Sequence, residues 1–247
     1  MPRLDVQIAA PDGTANGSLH VPEGDGPWPG VLMIPDAGGL RDTFRDMGDR
    51  LAGLGYVALI PDIYYRAGDW APFDVNTLFT DPKERARMGG LASALTNDRI
   101  TADAGAYADF LLARPEVSGP AIGTTGYCLG GRISLIAAAG LGSLAAAAAS
   151  FHGGRLAVPD DPSSPHLLAD RITATVYVAG AIEDGSFTAG QAELLDRALT
   201  DAGVDHTVEF YPARHGFAVP DNGPYDSDAA ARHWAALQHL YQACLHG

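Results

Sequence analysis

Cysteine is scarce in this chain: two among 247 residues, at positions 128 and 244. Two thiols provide no disulfide framework, and their scarcity fits a reducing, cytoplasmic compartment. Basic residues are also few, 16 Lys and Arg against 30 Asp and Glu, for a formal net charge of −14. Phosphate recognition needs clustered cations, so this balance argues against nucleic acid and anionic membrane as partners. No H-E-x-x-H or paired C-x-x-C occurs, and the histidines lack a shared ligand spacing, so a zinc site is not expected. The N-terminus, Met1-Pro2-Arg3-Leu4-Asp5-Val6, has no apolar signal-peptide core. One uncharged run, Ile133 to Phe151, is 19 residues long, nominally enough to span a bilayer. It is mostly Ala, Gly and Ser and is broken by Gly140 and Gly142, so it reads as a helix, a loop and a buried strand instead. Internal repeats, low-complexity tails and linkers are missing, and the expectation is a single domain over 1–247.

Strand and helix patterns alternate almost throughout, which predicts a mostly parallel sheet covered on both faces. Asp5–Ala9 and Ser18–Val21 read as an antiparallel edge joined by a turn-rich stretch with Asp12-Gly13 and Asn16-Gly17. Central strands are expected at Val31–Ile34, Tyr56–Ile60, Ala121–Thr125, Ala145–Ser150, Thr173–Gly180 and Thr207–Tyr211. Helices are expected at Thr43–Leu54, Arg99–Leu112, from Arg132 onward, Thr188–Ala202 and Ser227–Leu245. The connection from Asp62 to Asp98 is irregular, with a helical patch near Lys83–Met88. Long connections in compact domains tend to be functional.

The richest segment is Gly126-Tyr127-Cys128-Leu129-Gly130-Gly131, between an apolar strand and a helix. It has the form of a nucleophile elbow with Cys in place of Ser. A sharp turn crowds the backbone around the nucleophile, which calls for glycine at 126 and 130. The helix that follows points its positive N-terminal end at the sulfur. In α/β-hydrolases the elbow is followed along the chain by an acid and then a histidine. Here Glu183-Asp184 lie just past one later strand, and either carboxylate is placed to be the acid; His215-Gly216-Phe217 follow another. All fall where parallel strands deliver residues to the carboxyl edge of a sheet. The loop Pro35-Asp36-Ala37-Gly38-Gly39 also follows a central strand, so the N–H groups of Ala37 and Leu129 are candidates for an oxyanion hole.

With these pieces in place the chain resembles the dienelactone hydrolase (carboxymethylenebutenolidase) family, from about Gly17 to the last helix. The carriers are the elbow, Ile60-Pro61-Asp62-Ile63-Tyr64 and Arg214-His215-Gly216-Phe217-Ala218. The resemblance implies an α/β-hydrolase fold and a Cys128–Asp184–His215 triad, with Asp184 favoured over Glu183. It further implies cofactor-free hydrolysis of a small activated ester or lactone through a thioester. Two departures stand out. Family members carry Glu after the first central strand, a carboxylate that meets the resting thiol; Asp36 stands there and is one methylene shorter. They also bind a substrate carboxylate with an arginine shortly after the catalytic His, where this chain has Gly216-Phe217-Ala218-Val219-Pro220. Arg85 or Arg87 is the candidate replacement for a further substrate arginine. Tyr64, His152 and Phe217 complete the expected surroundings of thiol and substrate. Phe151-His152-Gly153-Gly154 and Ser164-Pro165-His166 resemble a broader branch of the family, so hydrolase chemistry is a firmer expectation than dienelactone as substrate. The competing readings are a non-catalytic small-molecule-binding protein of the same fold and a thiol redox protein. The expected assembly is a monomer or small homo-oligomer.

Overall fold

The computed structural model describes residues 2–246. Eight strands form one sheet in the order β1-β2-β4-β3-β5-β6-β7-β8. They are β1 Arg3–Ala10, β2 Gly13–His20, β3 Trp28–Ile34, β4 Val57–Pro61, β5 Val117–Tyr127, β6 Ala145–Phe151, β7 Thr175–Glu183 and β8 His206–Arg214. Strand β2 runs antiparallel to both β1 and β4, and every other pairing is parallel. Six α-helices are present among the described residues: α1 Asp42–Gly53, α2 Pro82–Ala92, α3 Asn97–Leu112, α4 Leu129–Leu141, α5 Ala189–Asp201 and α6 Ser227–Leu245.

The central strands are apolar on both faces because both faces are covered. Residues of β3 after Trp28 are all buried, as expected for a parallel strand between helical layers. Phe44, Met47 and Leu51 of α1 pack with Trp234, Leu237 and Tyr241 of α6 on one side. Buried residues of α3, α4 and α5 form the core on the other side. The alanine-rich β6 fits between them because its small side chains let helices approach closely on both faces; Ala147, Ala148 and Ala149 are fully buried. This is an α/β-hydrolase fold, mostly parallel with an antiparallel N-terminal edge. Residues 133–151 divide into α4, a short 3-10 turn and β6. No helix among the described residues is long and apolar enough to cross a membrane.

Two local expectations need correction. The β1–β2 turn is the pair Pro11-Asp12, since Ala10 faces Gly13 in the ladder. Asn16-Gly17, which reads as a second turn, lies inside β2 opposite Gln7 and Val6. Gly17 serves close packing there: a Cβ would stand 3.1 Å from the carbonyl oxygen of Ile60 on β4. The helical patch near Lys83–Met88 is a longer helix, α2, started by Asp81, whose carboxylate accepts from the Lys83 N–H at 2.8 Å.

Strand β3 has β4 on one side and β5 on the other, so the direction of winding reverses between β3 and β5. Ligands of open α/β sheets bind in the crevice that such a reversal creates at the carboxyl ends of the strands. The loops after β3 and β5 begin with Pro35-Asp36-Ala37 and Cys128 respectively.

Candidate active site

Cys128 occupies the apex between β5 and α4 with φ of 55° and ψ of −116°, a backbone conformation that residues with a side chain rarely adopt. The turn holds because its neighbours are glycines. A Cβ at Gly126 would lie 1.9 Å from the Gly130 carbonyl oxygen, and one at Gly130 would lie 2.3 Å from that of Ile34. Both contacts are with backbone and cannot be relieved by a rotamer change. The Cys128 N–H donates to the Phe151 carbonyl at 3.1 Å, fixing the elbow to the end of β6. Leu129 is the first residue of α4, where a helix leaves its N–H groups without intrahelical acceptors.

His215, in the loop after β8, is hydrogen-bonded to Asp184, its Nδ1 meeting Oδ2 at 2.6 Å, and it lines the same cavities as Cys128. Burial disfavours a charged imidazole, but the bond to Asp184 and the neighbouring Cys128 outweigh it and push the His215 pKa up to about 10. Asp184 follows β7, and its side chain is only 3% exposed. Burial alone would raise its pKa; the bonds from His215 and from the Ser186 hydroxyl and N–H hold it below the usual carboxylate range. Those Ser186 bonds are 2.7 and 2.8 Å long, and the hydroxyl also lies 3.3 Å from His215 Nδ1. The rival acid, Glu183, is exposed at the end of β7.

The early loop is held from both sides. Ala37 is buried, and its carbonyl accepts from the Tyr64 hydroxyl at 3.0 Å. Tyr64 is in turn packed edge-on against Trp70, with centroids 5.3 Å apart. Asp62 fixes that pair by accepting from the Trp70 indole at 3.0 Å and from the Tyr64 N–H at 2.8 Å. This explains the Ile60-Pro61-Asp62-Ile63-Tyr64 segment physically: it orients the ring that anchors the Ala37 peptide. Burial, with Asp36 and Cys128 nearby, raises the Tyr64 pKa, so the hydroxyl remains a donor.

Asp36 is committed to an ion-pair network. Its oxygens accept from Arg41 at 2.7 and 3.0 Å, from the Gly38 N–H at 2.8 Å and from Asn222 at 3.4 Å. Arg41 continues to Asp221 with bonds of 2.6 and 2.8 Å. The carboxylate thus lines the cavity at Cys128 while most of its bonds stay within its own loop, reaching the loop after His215 through Asn222 and, by way of Arg41, Asp221. Sequence reasoning passed over Arg41, Asp221, Asn222 and Ser186. Only Ser186 left a local signal, since Asp184-Gly185-Ser186 has the form of an Asx turn.

His152 is fully buried beneath His215, edge-on to it at 5.2 Å and to Phe217 at 5.0 Å. Burial and the neighbouring His215 and His233 hold its pKa well below the ordinary histidine value, so the ring is neutral. Phe217, also fully buried, packs on Tyr211 and supports this layer rather than lining a cavity. Arg85 stands exposed on α2, outside the lining of the two cavities at Cys128. Arg87 is turned to Glu84 and the Phe73 ring. The arginines that do reach a cavity beside Cys128 are Arg132 and Arg155. Among the described residues no cluster of His, Cys, Asp or Glu has the form of a metal site.

Comparison with known proteins gives the same picture at the level of the whole chain. The model of the dienelactone hydrolase family matches residues 16–245. A Synechocystis sp. protein provisionally named a carboxymethylenebutenolidase is 31% identical over 245 residues, covering 98% of this chain and 94% of its own. An Escherichia coli K12 protein with the same provisional name is 29% identical over 220 residues, covering 87% and 77%. Among solved structures, a provisionally named dienelactone hydrolase from Klebsiella pneumoniae superposes with a TM-score of 0.82 at 25% identity, covering 98% of each chain. A dienelactone hydrolase-like promiscuous phosphotriesterase from metagenomic libraries also gives 0.82, at 29% identity and 98% of each chain. A family model spanning nearly every residue, a relative matched end to end and this strand order lead to one assignment: the chain belongs to the dienelactone hydrolase family.

Proposed function

We propose that this protein is a thiol hydrolase that cleaves a small ester or lactone through a thioester acyl-enzyme. The observation that carries this reading is His215 bonded to the buried Asp184 carboxylate while lining the same cavities as Cys128 on the elbow. In the reaction His215 takes the proton of Cys128, forming a thiolate–imidazolium pair at the N-terminus of α4. The thiolate attacks the ester carbonyl carbon, and the negative charge moves to the carbonyl oxygen. The N–H groups of Ala37 and Leu129 are the candidate donors for that oxygen. Collapse of the tetrahedral adduct breaks the carbon–oxygen bond, and the imidazolium gives its proton to the departing alkoxide. The now neutral His215 takes a proton from water as it attacks the thioester. The second collapse releases the acid and restores the ion pair. Asp184 stays ionised throughout, orienting the ring and stabilising its charged form.

A thiolate is a better leaving group than an amide nitrogen, so amide adducts would revert; esters and lactones with a good leaving group suit the site. The test is steady-state hydrolysis of p-nitrophenyl acetate and of a dienelactone by the wild type and by Cys128→Ala. Turnover that vanishes in the variant supports the reading. No Cys128-dependent turnover of either substrate by folded protein contradicts it and favours a binding role. The 29%-identical phosphotriesterase neighbour makes a phosphotriester a useful third substrate, since attack by the same thiolate at phosphorus needs no further group.

A further inference from the structure

Two chambers of unequal size and character meet at Cys128. The smaller, about 110 Å³, is lined by Asp36, Gly38, Val75, Asn222 and His215. At about 30 Å³ per water, it has room for a group of only a few heavy atoms. The larger, about 380 Å³, also reaches Cys128 and is bounded by Phe79, Met88, Ala92 and Leu129. Its exposed walls are almost entirely carbon, and its volume lies in the range typical of small-molecule clefts. Met88 and Ala92 are four residues apart on α2, hence on one face of that helix. Phe79 belongs to both chambers and is 53% exposed, an aromatic ring at the rim with much of its surface uncovered.

The cations at the larger chamber are already engaged. Arg132 donates to the Arg155 carbonyl at 2.7 Å and to the Ser163 carbonyl and hydroxyl at 2.7 and 2.8 Å. Arg155 pairs with Asp161 at 3.1 Å. No arginine is among the residues that line the smaller chamber; Arg41, which is not part of that lining, is shared between Asp36 and Asp221. Both arginines at the larger chamber thus have protein acceptors, so a substrate carboxylate there would have to compete with Asp161 and with the Arg155 and Ser163 oxygens.

Resting on the hydrolase reading, we infer that the preferred substrate is an uncharged ester with one apolar arm against Phe79, Met88 and Ala92 and one arm of few atoms in the smaller chamber. The apolar arm gains by leaving water, roughly three- to fourfold in kcat/KM per added methylene until the chamber is full.

Two series of activated esters test this, followed by acid release: vinyl esters of acids from two to eight carbons, and 1-alkenyl acetates from two to eight carbons. One series is expected to rise with length and the other to fall away after a few carbons, which also identifies the arm that occupies the larger chamber. Ala92→Trp, which narrows that chamber, is expected to lower the long-to-short kcat/KM ratio of the rising series at least tenfold. Phe79→Ala, at an exposed position, is expected to flatten the slope. The inference is overturned if both series are flat or both rise, if no neutral member is turned over, or if an equally long ester ending in a carboxylate is preferred. Cys128-dependent turnover of p-nitrophenyl acetate, measured alongside, separates the two failures: with it intact only the chamber assignment falls, and without it the hydrolase reading falls too.

Discussion

Arg41→Ala removes a guanidinium that is 15% exposed from between Asp36, 7% exposed, and Asp221, 30% exposed. Breaking a buried ion pair by deleting one partner costs about 3–5 kcal/mol, because the remaining charge stays desolvated. Asp221 can recover water, so the lower end applies, about 3 kcal/mol. For a chain of this size each kcal/mol moves the melting temperature by about 2–4 °C, giving a fall of about 6–12 °C. Much of this cost is the stranded Asp36 carboxylate. The double variant Asp36→Asn with Arg41→Ala is therefore expected to recover about 1–2 kcal/mol relative to Arg41→Ala alone. Urea denaturation at neutral pH measures all three proteins. The network also ties the Asp36-Ala37 loop to the loop after His215, and a misplacement of about 1 Å can cost roughly 100-fold in rate. Activity in Arg41→Ala is thus expected to fall mainly in kcat, measured below the new melting temperature. A loss under 1 kcal/mol, or a double variant no more stable than the single one, would refute the reasoning.

Gly126→Ala would place a Cβ 1.9 Å from the Gly130 carbonyl oxygen. Since backbone must move, the expected outcome is little soluble protein, or a loss above about 4 kcal/mol by thermal denaturation. Asp184→Asn removes the acceptor that, with Cys128, holds the His215 pKa up near 10. The alkaline limb of kcat/KM should therefore move down toward neutral pH, and the rate should fall by roughly 10³- to 10⁴-fold; an unmoved limb would contradict the assignment. Because the folded-state pKa of His215 is raised, its contribution to stability is complete below the unfolded value near 6.5 and is lost as pH rises through about 10. Tyr64→Phe deletes the bond to the Ala37 carbonyl, costing about 1 kcal/mol of stability and lowering kcat more than it changes KM, which a kinetic comparison with wild type would show.

What could be read from the sequence was whatever local sterics or period decides. The elbow is legible because a tight strand–helix turn admits only glycine at 126 and 130, and the clashes a Cβ would make there are with neighbouring backbone. The face of α1 is legible because Phe44, Met47 and Leu51 repeat at helical spacing and are buried together. The N-terminal hairpin misleads because Asn16-Gly17 has turn chemistry, while Gly17 answers to contact with Ile60, 43 positions away in sequence. The Arg41–Asp221 bond escapes for a similar reason, linking residues 180 positions apart with no pattern joining them. Arg85 looked as suitable as any arginine of the long connection, but which side of α2 faces the site depends on how that helix docks. Resemblance supplied a preference for Asp184 over Glu183 that the residues alone did not, and it is Asp184 that reaches His215.

The most direct test of the central claim is to mix the protein rapidly with p-nitrophenyl acetate, quench in acid and measure the intact mass, followed by peptide mapping. The account predicts one acetyl group on Cys128, present in the wild type, accumulating when deacylation is slowed and missing from Cys128→Ala. Turnover with no acyl group on Cys128, or an acyl group mapped to another residue, would contradict it.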